Sequence, residues 1–258
     1  MISFVGAGPG APDLITLRGK RLLEEADVII YAGSLINPEL LRYAKKEAVL
    51  YNSAKMTLEE LTEVMCRAAG DGLNVVRLHS GEPSIYGAVR EQMDCLDRLG
   101  IRYQSCPGVS ACFGAAAALN LEYTLPGVSQ TLIITRMEGR TPVPEEEKIE
   151  KLAAHRASMA VYLSSGMLEQ LSKKLLEGGY MPDTPAALVY KATWPEEKTV
   201  FCTVGTLEEA GTANSIDRSA VVLVGDAVKP ENYHRSGLYD PSFSHGFRNS
   251  TEDTCLRC

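Results

Sequence analysis

The chain of 258 residues is 45% hydrophobic and 23% charged, enough apolar side chain for one large domain or two ordinary ones and too much for a disordered polymer. A net charge of −7 argues against a nucleic-acid partner, yet leaves room for a polyanionic small molecule met by a local cluster of Arg and Lys. The longest apolar runs, DVIIY and SAVVLVG, are strand-sized, and the N-terminus lacks a basic segment followed by a long apolar one. Seven cysteines, mostly inside apolar segments, read as reduced thiols, so the expectation is a cytoplasmic protein with no membrane partner.

In chain order, ISFVGAG reads as a strand ending in a turn, with Thr16 placed to cap the helix LRGKRLLEEA. DVIIY is a buried strand, and Asn37-Pro38 is an N-cap with proline at the first helical position. AVLYNS is a strand. Thr57 and Glu60 form a capping box for LEELTEVMCRAA, whose apolar stripe is Leu58, Leu61, Val64, Met65 and Ala68. NVVRLHSG and IRYQSCPG are strands flanking the helix YGAVREQMDCLDRLG, which Gly100 stops. A small-residue helix, VSACFGAAAAL, follows.

NLEYTLPG then interrupts the alternation, and a domain boundary is expected near residues 121–127. Beyond it come the strand QTLIITR, a Pro-rich loop, the helix EEKIEKLAAH, the strand MAVYLSS, the helix LEQLSKKLLEGG and the strands PAALVYKA, TVFCTVG and SAVVLVG. This half is richer in strands, so its sheet should be mixed. The expected organisation is an N-terminal α/β domain over 1–122, a C-terminal α/β domain over 128–230 and a tail over 231–258. Cys255-x-x-Cys258 lacks the further ligands a zinc site needs, so no metal is expected.

Gly6, Gly8 and Ala11 formally satisfy a dinucleotide fingerprint. Two features oppose it. Pro9 and Pro12 remove N–H groups that a phosphate would use, and DVIIY is followed by Tyr31-Ala32-Gly33 with no acidic residue for a ribose. Two further Gly/Pro loops, Ser80-Gly81-Glu82-Pro83 and Pro107-Gly108-Val109-Ser110-Ala111, also follow strands directly. In a parallel sheet all three would meet at the C-terminal edge, where ligands bind.

GAGPG, SGEPSIYGA and PGVSA together resemble the tetrapyrrole (corrin/porphyrin) methylase family. YAGSLINPELL, TRMEGRTPVPE, LVYKATWPEEK and RSGLYDPSFSHGFR resemble its branch acting on C-11 of precorrin-4, or cobalt-precorrin-4, in cobalamin synthesis. The resemblance implies two α/β domains with S-adenosylmethionine in the cleft between them, a homodimer, and a polycarboxylate tetrapyrrole substrate. It places the methyl donor against Pro9, Ser80, Gly81, Glu82, Ile85, Ser110 and Ala111, with Leu163 and Ala192 from the second domain. Ile85 and Leu163 would suit a hydrophobic core equally well. Arg18, Arg136, Arg140 and Lys191, with Lys20 and Arg21 near the first loop, are the cations expected to meet substrate carboxylates. No general base is assigned; His79, Glu82 and Tyr86 are the titratable groups near the loops. Members of the family often carry Asp where this chain has Glu82 and Ala11. The alternatives are a sister methylase acting at another ring carbon and a tetrapyrrole carrier without turnover.

Overall fold

The structure, a computed structural model, describes residues 1–33 and 35–250; Cys255 and Cys258 lie outside the described residues. The described residues divide into two compact units, Met1–Leu119 with Val189–Thr199, and Asn120–Leu188 with residues 200–250.

The first unit is built on five strands, β1 (Ile2–Gly6), β2 (Val28–Tyr31), β3 (Val49–Asn52), β4 (Val75–His79) and β5 (Tyr103–Cys106), in the order β3-β2-β4-β1-β5. Neighbouring strands pair in parallel throughout. A parallel sheet is covered on both faces, and β1 and β4 are accordingly buried at every position. On one face Val5, Ile29, Val76 and Leu78 pack with Leu23 of α1 (Leu17–Glu25) and with Leu40 of the 3₁₀ segment Pro38–Tyr43. On the other, Ile2, Phe4, Ile30 and Val75 meet Leu61 and Met65 of α2 (Leu58–Gly70) and Leu96 of α3 (Val89–Arg98). The chain leaves β1 toward β2 and leaves β4 in the opposite direction, toward β5. Adjacent strands β1 and β4 are thus followed by helices on opposite faces of the sheet, α1 on one and α3 on the other.

The punctuation predicted from the sequence forms locally. Thr16 accepts from Gly19 N at 3.0 Å, and Asn37 caps its segment by accepting from Glu39 N at 3.0 Å, though that segment is 3₁₀ rather than α-helical. Thr57 and Glu60 make the reciprocal capping box of α2. The third helix begins only at Val89, because Tyr86 and Ala88 take left-handed backbone with φ of 55° and 49°. The small-residue helix is α4 (Ala111–Leu119).

The second unit carries β6 (Leu132–Arg136), β7 (Ser158–Tyr162), β8 (Pro185–Tyr190), β9 (Lys198–Thr203) and β10 (Ala220–Val224) in the order β6-β7-β10-β8-β9. Here β6 and β7 are parallel while β7 and β10 are antiparallel, the mixed sheet its strand-rich sequence implies. The helix expected over EEKIEKLAAH shrinks to α5 (Ile149–Ala153), whose C-terminus leads into a left-handed Arg156 with φ of 48°. A longer helix, α6 (Leu168–Glu177), buries Leu168, Leu171 and Leu175 along one stripe. Residues 231–250 group with this unit: His234 N donates to Pro126 O, and the Arg248 guanidinium donates to the carbonyls of Leu238, Asp240 and Phe243. Among the described residues no helix is long and apolar enough to cross a membrane.

The two units part at Asn120, a residue short of the boundary read from the sequence. One difference is larger. Val189–Thr199, expected inside a continuous second domain, groups with the first unit, because its turn hydrogen-bonds to the loop after β1.

Candidate functional site

At the C-terminal edge of the first sheet the strands do not simply stop. Ala7 N donates to His79 O at 2.7 Å, and Gly8 and Gly81 then exchange both backbone bonds, at 3.3 and 2.9 Å. The β1 and β4 loops are thus zipped together for two residues beyond the strands. Gly8 and Gly81 both have positive φ, 82° and 59°, which glycine adopts without a Cβ clash. The third loop approaches just as closely. A Cβ on Gly6 would lie 2.6 Å from Gly108 Cα, so side chains are excluded and bare backbone lines this edge.

Glu82 ties the second loop to the third. Its carboxylate accepts from Gly108 N at 2.7 Å and from Ser84 N at 3.0 Å. Both oxygens therefore have backbone donors, and the extra methylene relative to aspartate lets the carboxylate span the gap between loops.

The first loop is held from outside the sheet. Asn37 Nδ2 donates to Gly10 O at 3.0 Å, Trp194 Nε1 donates to Pro9 O at 3.1 Å, and Ala11 N donates to Thr193 Oγ1 at 2.9 Å. The N–H groups of Ala7, Gly8 and Ala11 are therefore committed within the protein, and Pro9 has none. A pyrophosphate needs such donors free, so this is not a dinucleotide cradle.

Beneath the second loop lies a buried polar group of residues on the α2/α3 face. Arg77 donates to Gln92 Oε1 at 3.2 Å and to Ile30 O at 3.3 Å, and Gln92 passes the connection to Ala88 O at 2.9 Å. Burial pulls the Arg77 guanidinium down to about 10. Burial, with the Arg77 charge second, pushes the His79 imidazole down to about 3, so it is neutral at physiological pH. The His79 carbonyl is hydrogen-bonded to Ala7, but its ring packs beside Phe4 with centroids 6.0 Å apart, and Nε2 has no protein partner among the described residues.

Of the residues expected to meet a methyl donor, the first unit gathers Pro9, Ser80, Gly81, Glu82, Ile85, Ser110, Ala111 and Ala192. Ser110 and Ala192 are buried, Ser80 is exposed, and Ala111 opens α4, whose N-terminus favours an anionic group. Leu163 belongs to the second unit. It is 68% exposed on left-handed backbone with φ of 54°, so it is not a core residue. Such conformations in bulky residues persist where surrounding structure fixes them. Here Ser164 Oγ, bonded to Tyr162 O at 2.7 Å and accepting from Met137 N at 2.9 Å, holds the turn.

The expected substrate cations separate into two kinds. Arg136 donates to the carbonyls of Met137, Thr141 and Pro142, at 3.1, 3.2 and 2.7 Å, and so shapes its own loop. Lys191 stands 5.2 Å over the Trp194 ring and 3.4 Å from Glu196. Arg18 and Arg140 are exposed and enter no ion pair among the described residues. Asn37, Thr193 and Trp194 were not read as site residues from sequence. Their only signal was membership of the stretches YAGSLINPELL and LVYKATWPEEK, since their partners lie 27 to 185 positions away.

Residues 1–208 match the family described as tetrapyrrole (corrin/porphyrin) methylases. The chain belongs to this family. It is 52% identical over 249 residues to the cobalt-precorrin-4 C(11)-methyltransferase of Methanocaldococcus jannaschii, covering 96% of each chain. Its structure superposes with a TM-score of 0.87 on a cobalamin biosynthetic enzyme, cobalt precorrin-4 methyltransferase, at 45% identity, covering 89% of this chain and 96% of that one. The uroporphyrin-III C-methyl transferase of Thermus thermophilus, solved in complex with S-adenosylhomocysteine, is more distant, at 27% identity and a TM-score of 0.73, with 88% and 93% covered.

Proposed function

We propose that the protein transfers a methyl group from S-adenosylmethionine to C-11 of precorrin-4, metal-free or carrying cobalt, in cobalamin biosynthesis. The observation that carries this reading is the 52% identity over 249 residues to a C(11)-methyltransferase, against 34% over 239 residues to a uroporphyrinogen-III C-methyltransferase of Bacillus subtilis. The donor lies against Pro9, Ser80–Glu82, Ile85, Ser110 and Ala111, with Ala192 behind the first loop. The residues present fit the donor: close packing of Gly6, Gly81 and Gly108 fixes the three loops to one another, and the α4 N-terminus suits a carboxylate.

The reaction is an in-line displacement. A C–C bond forms from the electron-rich ring carbon to the methyl group as the C–S bond breaks, releasing neutral S-adenosylhomocysteine. The positive charge passes to the macrocycle and leaves as a ring N–H proton. Because the leaving group is neutral and the macrocycle supplies the electron pair, orientation is the enzyme's main contribution, of up to about 10 kcal/mol. Neither His79, neutral and enclosed, nor Glu82, bonded to two backbone donors, is required as a base. Arg18 and Arg140 meet carboxylates of the substrate as charge-assisted pairs, while Arg136 and Lys191 shape the segments beside them. The enzyme works as a cytoplasmic homodimer.

Incubation with precorrin-4 or cobalt-precorrin-4 and methyl-¹³C-labelled donor, followed by NMR location of the label, tests the reading. Label at C-11 is the expected result. Label at another ring carbon indicates a sister activity, and tight tetrapyrrole binding without label indicates a carrier.

A further inference from the structure

The turn between β8 and β9 is made of residues that serve no strand. Residues 191–197 fold back through Trp194 N donating to Lys191 O and Glu197 N donating to Trp194 O, both at 3.0 Å. Two of its residues take left-handed backbone, Lys191 with φ of 45° and Thr193 with φ of 68°. For β-branched Thr193 that conformation is an outlier, which persists only where neighbours over-determine it. They do so here. Thr193 N donates to Glu197 Oε2 at 2.6 Å, and Lys191 spans the Trp194 ring and the Glu196 carboxylate.

What this strained turn presents is a set of contacts to one short stretch, Pro9 to Ala11. Thr193 Oγ1 takes the Ala11 N–H, and the Trp194 indole N–H takes the Pro9 carbonyl. The Trp194 ring fills the space that a side chain on Gly10 would occupy, with Ala192 O behind it. The Thr193 methyl lies beside Gly114 of α4, where Pro9 also packs. Pro9 is therefore gripped on its carbonyl by Trp194 and on its ring by the bare backbone of α4.

We propose that Thr193 and Trp194 are positioning residues that fix Pro9 against the methyl donor. The proposal rests on the reading that the donor lies against Pro9. Neither residue touches the reacting atoms; each sets the place of a loop that does. Misplacement of a wall by a fraction of an ångström is felt in transfer chemistry. Conservative changes at the turn should therefore be read in donor parameters and not in those of the tetrapyrrole.

The experiment uses the full chain and S-adenosylhomocysteine as probe. Trp194→Phe keeps the ring and its contact with Lys191 but deletes the indole donor. Thr193→Val keeps the shape but deletes the acceptor, and Thr193→Ser restores it. Calorimetry should show Trp194→Phe and Thr193→Val binding the probe about three- to tenfold more weakly, because ordering the released loop against the donor then costs roughly what the lost bond had contributed. Thr193→Ser should bind within about twofold of wild type on the same basis. The donor KM should rise in step while the tetrapyrrole KM stays unchanged and the melting temperature falls by no more than the few degrees one hydrogen bond accounts for. If wild type binds the probe and both deletion variants bind equally well, the proposal is overturned while the donor site stands. A rise in both KM values that follows a lowered melting temperature also overturns it, as a general loosening. If wild type does not bind the probe at all, the donor reading falls and takes the proposal with it.

Discussion

Gly108→Ala adds a single methyl group where the three loops at the C-terminal edge of the first sheet meet backbone to backbone. The new Cβ would lie 2.7 Å from Gly6 Cα and nearer still to the Gly81 carbonyl oxygen. Carbon contacts settle at about 3.5–4.0 Å, so the backbones must part by roughly 1 Å. None of the obstructing atoms belongs to a flexible side chain. Gly6 ends a strand paired in parallel to β4, and Gly81 is bonded both ways to Gly8. Overpacking of a fixed site costs about 1–3 kcal/mol. The shift also draws Gly108 N away from the Glu82 carboxylate, a bond to a charged group worth about 1.5–3 kcal/mol when buried and less at this half-exposed position. We expect a loss of about 3 kcal/mol, measured by urea unfolding followed by circular dichroism. S-adenosylhomocysteine binding should fall in the same variant. The control is Gly70→Ala at the exposed end of α2, where a Cβ meets nothing within 4 Å and the substitution should stabilise by about 0.5–1 kcal/mol. Gly108 has no left-handed φ, so strain of conformation does not confuse the comparison. Unfolding of Gly108→Ala within about 0.5 kcal/mol of wild type, the scatter of an ordinary surface change, would refute the close-approach argument.

Stability should depend on pH through His79. The unfolded chain takes its proton near 6.5 and the folded protein only near 3, so stability present above 6.5 is lost as pH falls toward 3, by up to about 1.4 kcal/mol per unit. His79→Gln should flatten that slope, and parallel slopes for the two proteins would contradict the burial argument. Thr57→Ala removes the capping box of α2 and should cost about 1 kcal/mol in the same unfolding assay, with no change in probe affinity. Arg140→Ala should raise the tetrapyrrole KM severalfold at low salt, with the difference from wild type shrinking as salt is added. A salt-independent effect would point to packing instead. Trp194 is the only tryptophan in the sequence, so adding S-adenosylhomocysteine should change the protein's tryptophan emission. Calorimetric binding without any optical change would count against donor placement beside Pro9.

Local chemistry was readable in the sequence wherever the partner lies within a few residues. Thr16, Asn37 and Thr57 cap the segments they precede, because a cap bond spans two or three positions. The alternation of strands and helices over the first 120 residues gave a parallel sheet with its Gly/Pro loops at one edge, since every strand there returns through a crossover. Periodicity cannot see the contacts that turn that edge into a site. Glu82 was noticed as a carboxylate beside a loop, but its bond to Gly108 crosses 26 positions. Arg136 looked like a free cation because sequence shows its charge and not the three carbonyls around it.

The first loop shows why the unread part matters for function. Gly6, Gly8 and Ala11 have the spacing of a dinucleotide fingerprint, and spacing alone cannot say which N–H groups remain available. The distinction lies in distant donors and acceptors: His79 O, Gly81 O and Thr193 Oγ1 consume the N–H groups, while Asn37 and Trp194 consume the carbonyls. A loop with most of its polar backbone bonded within its own protein offers shape more than charge. That suits a donor that must be held at a fixed angle to a ring carbon, and it suits a pyrophosphate poorly. Substituting Trp194 or Thr193 therefore tests the principle directly, because it frees backbone polar groups in the loop without altering a single residue of the fingerprint.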